Sequence, residues 1–518
     1  MSDTALARHL ADRLGFGPRP GDLDHIAKTG PDRWIDQQLH PASLALPKEV
    51  AAHLAQLRTL RMSPEETFLE YGPPALREAK SPEQRKDIQE RARIVPAEAI
   101  EARILRAVYS PAQLEESLVD FWFNHFNVFA AKGLDRVWIG AYERDAIRPH
   151  VLGRFRDLLG ATAKHPAMLF YLDNWQNTAP NAPGARGNFK GLNENYAREL
   201  MELHTLGVDG GYSQDDVITL ARILTGWGFG GDGSRAPQAA AKARPFGKRV
   251  AVDRRFPPAE QKAQGRRGGT FVFAENRHDF SDKTLLGHRI AGRGEAEGEQ
   301  ALDLLARHPA TAKRISYKLA QYFVADEPPQ AVVDAGAATF AKTDGDIAAV
   351  LRTLFARPEF RDPSGFNTRF KTPLRYVVSS LRASGATVRN FRPAFGLLQQ
   401  LGQPLYGCIT PDGYKCTEAA WLNPDGMTRR VTYALALAAG RLPLSESPAD
   451  QPAGPRAGGR RNPDGGALRA RGNEPPVNVE TLIATLGGIS EKTRAVVTTA
   501  QPELRAALVL GSPDFMRG

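Results

Sequence analysis

Hydrophobic positions recur at helical spacing along most of the chain. Thr4–Leu14 and Pro31–Leu39 read as amphipathic helices, the second with proline at its first position, where the missing N–H costs nothing. From residue 96 the period strengthens through Ala97–Tyr109, Pro111–Phe123, Asp135–Ile147 and Leu152–Ala163. It continues in Gln214–Gly226, which follows a Ser213 N-cap, and in Gly298–Arg307, His308–Phe323, Pro329–Ala341 and Gly345–Ala356. Thr372–Ser384, Phe391–Leu401 and Arg429–Ala439 follow, and Val479–Leu486, Ser490–Thr499 and Pro502–Leu510 close the chain. Alternation is confined to GTFVFAENRHDF, which predicts a small β-hairpin near Thr270–Ala274. The pattern predicts an all-α fold, one large multi-helix globular domain over residues 1–518. Residues 46–95 read as a charged helical excursion from it.

The pattern centres on NENYARELMELHTLGVDGGYSQDDVITLARILTGW, residues 193–227, two helices joined by a glycine-rich turn. Tyr196, Ala197, Leu200, Met201, Leu203 and Leu206 cover more than half of the first helix, an arc that wide being the mark of burial. The same helix carries Glu194, Glu199, Glu202 and His204. Glu199 and Glu202 share a face, Asn195 lies one turn before them, and His204 falls on the apolar arc. Buried acids and imidazoles are costly unless paired, hydrogen-bonded or bound to a ligand. Ion pairs Glu194–Arg198 and Arg198–Glu202 would make this a structural core; acids projecting into a pocket would make it a functional site.

Two other stretches carry chemistry. FWFNHFNVF sets Asn124, His125 and Asn127 among Phe121, Trp122, Phe123, Phe126 and Phe129, rings that must be buried or line a pocket. Asp173, in YLDNWQN, sits at a helix end that disfavours a carboxylate, so it calls for a partner such as Lys190, Arg198 or a substrate. Adjacent His278 and Asp279 open a polar turn able to cap a helix, bind metal or move a proton.

The net charge of +10 is unevenly placed. Ala240–Arg267 holds nine Lys/Arg against two acids, and Gly454–Gly472 holds five Arg against one Asp, so the rest of the chain is near −1. Both lie in Gly/Pro/Ala-rich sequence that reads as flexible basic insertions, 240–267 and a disordered linker over Ser445–Pro476. An anionic polymer is the partner such loops would suit, and no nucleic-acid motif accompanies them. No apolar run reaches the roughly 18 residues of a membrane span, and the first residues lack the apolar stretch of an export signal. The spacing of Cys408 and Cys416 in CITPDGYKC permits a loop-closing disulfide, which would point to an oxidising compartment. There is no glycine-rich phosphate loop, GxSxG elbow or HExxH pair, and Glu199 is followed by Glu202 rather than by the histidine of a di-iron bundle.

Several stretches, in order along nearly the whole chain, resemble one bacterial family, the DUF1800 domain proteins. They are LARHLADRLGFGPRPGDLDHIAKTGPDRWIDQQL, DFWFNHFNV, YLDNWQN, the long central motif, RHDFSDKTLLG, HPATAKRISYKLAQYFV, TPLRYVVSSLRA, LGQPLYG-x₄-DGYK, AAWLNPDGM and LGSPDF. The resemblance implies a periplasmic or exported protein and a partner similar to the sulfatase and alkaline-phosphatase superfamily (DUF1501); it supplies no catalytic residues. Three functions fit. A hydrolase of an envelope or extracellular polymer such as a polysaccharide would use paired carboxylates from Asp173, Glu194, Glu199 and Glu202, with Trp122, Asn124, His125, Trp175 and Asn195 binding substrate. A divalent-metal protein would draw on His125, Glu199, His204, His278 and Asp279. A non-catalytic assembly partner would use the motifs as core.

Overall fold

The computed structural model describes residues 3–187, 189–230, 269–446 and 474–518. The basic insertion 240–267 and residues 447–473 of the expected linker lie outside the described residues. Their flanks are described. Gly230 and Gly269 are bonded backbone to backbone at 2.7 Å, and the Ser445 amide donates to Glu474 at 2.8 Å. The described residues on either side of each stretch therefore lie together.

Helices packed on helices make the fold, as the apolar arcs demand. Ile94–Tyr109 and Gln113–His125 lie at its centre, and the second buries Leu114, Leu118, Phe121, Trp122 and Phe123. Asp135–Ala141 packs beside them and runs into a π-helical turn, Tyr142–Ile147. Charge buried between these elements is paired. Arg103 donates to Asp120 at 2.9 Å and to Glu143 at 3.0 Å; Arg148 forks onto Glu116 at 2.8 and 2.9 Å. Such a network specifies how the helices dock, because separating any member leaves a charge bare. Pro309–Phe323, Gln330–Lys342 and Ile347–Ala356 form a second layer, and the helices from Pro373 onward a third group.

Residues 46–95 hold the short helices Lys48–Leu54, Pro64–Tyr71, Pro73–Glu78 and Pro82–Arg91. Phe68 stacks on Trp138 with ring centroids 5.7 Å apart, and the Trp138 indole donates to Pro64, which ties this region to the centre. Pro82–Arg91 buries Ile88 alone.

Among the described residues the strands are four, each of three residues. The expected strand is Phe271–Phe273, paired antiparallel with Trp227–Phe229, Trp227 opposite Phe273. A second hairpin, Lys283–Leu285 with His288–Ile290, forms where the sequence reads as a polar turn. Its two-residue loop, Leu286 and Gly287, has positive φ at both positions, the twist a tight hairpin needs. Leucine is a poor signal for that conformation, which the Leu286 amide secures by donating to Asp216 at 2.8 Å. Helix Gln214–Ile223 begins with the expected Ser213 cap, reciprocated by Asp216.

Candidate functional site

The first central helix is α-helical over Asn195–Glu199 and then widens into a π-turn, Leu200–His204. Thr205 closes the widened turn by donating its hydroxyl to Leu200 O at 2.6 Å. π-turns of this kind insert a residue and re-aim the side chains that follow. Tyr196, Ala197, Leu200, Met201 and His204 are buried; Glu199 and Glu202 are half-buried. Of the two ion pairs weighed above, Arg198 makes the first, with Glu194 at 3.1 Å, and turns its other contact to Gln214 rather than to Glu202. Glu199 and Glu202 make no hydrogen bond or ion pair among the described residues. Burial and the charge of Glu202 push the Glu199 carboxyl above its usual range; Arg198 opposes this and Asp412 adds to it.

Behind this turn lies a chain of basic groups. His125 Nε2 faces the carbonyl of His204 at 3.0 Å, so this nitrogen must carry the proton and donate. Its Nδ1 then presents a lone pair to Lys318 Nζ at 2.9 Å. Burial, Lys318 and His204 all disfavour a charge on the ring, and the His125 pKa falls well below its usual value. Burial and neighbouring Arg314 push the Lys318 amine down to about 7, against the pull of Cys416 and Asp412. His204 is pushed down to about 3 by burial, and its Nε2 is buried without a partner.

Loop 402–417 closes the group. Asn124 accepts the Tyr414 amide at 3.1 Å, and Asn127 donates to the carbonyls of Cys408 and Thr410 at 3.0 and 2.8 Å. Gly413 lies so close that a Cβ there would meet Asn124 O at 2.1 Å, and its φ of +69° suits glycine. These contacts hold Asp412, whose charge reaches both Glu199 and Lys318. Burial would raise the Asp412 carboxyl, but hydrogen bonds from Lys415 and Thr410 keep it low. Cys408 and Cys416 are free thiols, so the disulfide that the spacing permits is not formed; the loop is held by asparagine amides instead.

The remaining candidates stand elsewhere. Trp122 is fully buried, its indole bonded to Val151 O, which leaves no face for a substrate. Trp175 packs among Phe170, Phe189 and Phe229. Asp173 pairs with Lys132 at 3.0 Å, not with the expected Lys190 or Arg198, and its φ is +60°. Asn195 spends its amide on Leu172 O at 3.2 Å, next to Asp173. His278 and Asp279 form a separate buried knot. His278 bonds Thr225 O and Glu297 at 2.8 and 2.9 Å, Lys283 bonds Glu297 at 2.6 Å, and Asp279 takes Arg222 at 2.8 Å. Among the described residues no three His, Cys, Asp or Glu side chains gather where they could hold a metal.

Two ionisable groups, Lys318 in the site and Asp135 outside it, escape a reading of the pattern. Lys318 sits one turn from the buried Ile315 and Tyr322, so a lysine on an apolar arc was the available signal. Asp135 is fully buried with both oxygens unpartnered, and burial pushes its carboxyl well above the usual range.

The fold is that of an all-α protein in which the FNHFN stretch, the central helix and loop 402–417 meet. The model of a family described as "Protein of unknown function (DUF1800)" matches residues 9–517, and the chain belongs to that family. No curated protein and no solved structure matches it. Among the described residues no helix is long and apolar enough to cross a membrane.

Proposed function

We propose that Glu199, Glu202 and Lys318 form an acid–base site and that the protein is a hydrolase of glycosidic bonds in an envelope or extracellular polymer. One observation carries the reading. Glu199 and Glu202 make no hydrogen bond or ion-pair contact among the described residues, and Arg198 and Arg314 act on them only through space, whereas Glu194, Asp173, Asp412 and Glu297 are each paired. A carboxyl raised by burial and by a neighbouring acid suits the general-acid role in glycoside hydrolysis, with the neighbouring carboxylate as its partner base. Glu199, raised by burial and by Glu202, gives its proton to the leaving oxygen as the glycosidic bond breaks. Glu202 takes a proton from the water whose oxygen joins the anomeric carbon. Lys318 donates to a substrate hydroxyl while His125 fixes its amine. Val208 and Ile409, exposed beside the π-turn and on the loop, supply apolar surface for a sugar face.

Release of reducing ends from a panel of bacterial and plant polysaccharides tests the reading. Wild type should release them, and Glu199→Gln and Glu202→Gln, folded by circular dichroism, should fall at least a hundredfold, the usual worth of a general acid or base being about 10²–10⁴. No release from any polymer, or equal release by both variants, overturns it.

A further inference from the structure

A cavity of about 340 Å³ lies between the short helices of residues 46–95 and the central helices. It is apart from the site above: neither Glu199, Glu202, His125 nor Lys318 lines it. One wall is apolar, built by Leu46, Leu54, Leu60, Ala99 and Ala102. The other carries the charged groups, and their hydrogen bonds decide what they can still do. Glu143 is saturated by Arg103 at 3.0 Å, Arg148 at 3.1 Å and the Tyr406 hydroxyl at 2.7 Å. Arg148 spends itself on Glu116 and Glu143, and Arg144 on Asp145 and the carbonyls of Leu60 and Met62. Two guanidinium groups remain. Arg61 and Arg106 make no hydrogen bond or ion pair among the described residues, though both line the cavity. Among the described residues, every unengaged polar side chain of the lining is thus a cationic donor.

We propose that this cavity binds a small amphiphilic anion, a carboxylate with a medium-length apolar tail. Arg106 and Arg61 receive the carboxylate, and the leucine wall receives the tail. The volume falls in the range of small-molecule sites, and an apolar pocket with a few oriented polar groups is their usual make-up. A planar guanidinium without a partner matches a carboxylate by two parallel hydrogen bonds. The neighbouring Glu143 does not repel the ligand strongly, because Arg103 and Arg148 already hold it.

Octanoate and decanoate are the probes, added to the full chain below their micellar concentrations. The melting temperature should rise and saturate, as it does for any ligand of the folded state alone. Acetate, which lacks the tail, and octanol, which lacks the charge, should shift it far less. Arg106→Met should weaken octanoate about tenfold or more, the loss of one charge-assisted contact, and Leu54→Trp should abolish the shift by filling the cavity. Should Leu54→Trp fail to fold, Arg106→Met with isothermal titration decides alone. Equal shifts with octanol, no shift with either carboxylate, or unchanged octanoate affinity in Arg106→Met overturns the proposal.

Discussion

The side-chain oxygen of Asn124 accepts the backbone amide of Tyr414 at 3.1 Å, 290 residues away in sequence. That bond joins two motifs that the sequence presents as separate, FNHFN and DGYK. Asn127 adds two bonds to the same loop, and Gly413 lets the backbones touch. The helix end and the loop are therefore one unit, and the placement of Asp412 beside Glu199 depends on it.

Gly413→Ala should break that unit. Its Cβ must displace backbone, not a mobile side chain, and overpacking plus left-handed strain costs about 1–3 kcal/mol. Chemical denaturation should show this loss. The thiol of Cys408, 8% exposed, should at the same time react faster with a disulfide reagent. Unchanged thiol kinetics would show that the loop is held by other means.

Much of this was legible in the pattern, and the limits have physical reasons. The helical period gave the fold class, because burying an arc is what makes a helix in water. It also placed Tyr196, Leu200 and Met201 in the core. Pairing partners were not legible. Arg198 sits at helical spacing from both Glu194 and Glu202, yet Gln214, from the next helix, takes its second contact. Asp173 finds Lys132 rather than the nearer candidates because tertiary packing, not sequence distance, sets reach. Likewise His278 and Asp279 read as a reactive turn, but Glu297 and Lys283 arrive from other elements and engage them. The π-turn has no sequence signature, so the direction of Glu202 could not be read either.

Lys318 makes stability depend on pH in the alkaline range. Its amine titrates at about 7 in the fold against 10.5 in the unfolded chain. Between those values the unfolded chain binds the proton that the folded one has released. Stability from this residue therefore rises as pH increases from 7 toward 10.5. Lys318→Met should remove that rise. The measurement is the difference in melting temperature between wild type and variant at pH 6.5 and pH 9.5, and it should shift in favour of wild type at the higher pH. A constant difference would show that the amine is not held neutral.

Acid should act through the buried histidines. His9, His165 and His204 are pushed by burial from 6.5 to about 3. As pH falls from 6.5 toward 3, the unfolded chain takes up protons that the folded chain refuses, and stability drops. His165 isolates the effect. Its Nδ1 accepts the Ala167 amide as a helix cap, a task asparagine performs as well, while its Nε2 has no partner. His165→Asn should keep the neutral-pH stability and lose less of it at pH 4.5 than wild type. Parallel curves would assign acid sensitivity to other groups.

Neutralising one acid should cost far more in the His278 knot than in the central helix. In the knot, burial alone would raise the Glu297 carboxyl, but bonds from His278 and Lys283 hold it below the usual 4.5. A depressed acid stabilises above its unfolded pKa, so the contribution is present at neutral pH and fades as pH falls below about 4.5. Glu297→Gln takes from the buried Lys283 ammonium its contact at 2.6 Å and leaves it, as counterion, only Asp279 at 4.0 Å, a loss of about 3 kcal/mol. Glu199 has the opposite sign. Its folded pKa is raised, so ionising it costs stability at pH 7, and that cost is absent below about 4.5, where both states are protonated. Glu199→Gln removes the repulsion with Glu202 and breaks no bond, so it should melt at or above wild type at pH 7; Glu202→Gln also gives up the attraction of Arg314 and should melt near wild type. For Glu199→Gln the gain should vanish at pH 4. Urea unfolding of the three variants at both pH values decides it. If the Glu199 and Glu202 variants lose stability as Glu297→Gln does, the two acids are structural, and the acid–base reading loses the observation on which it stands.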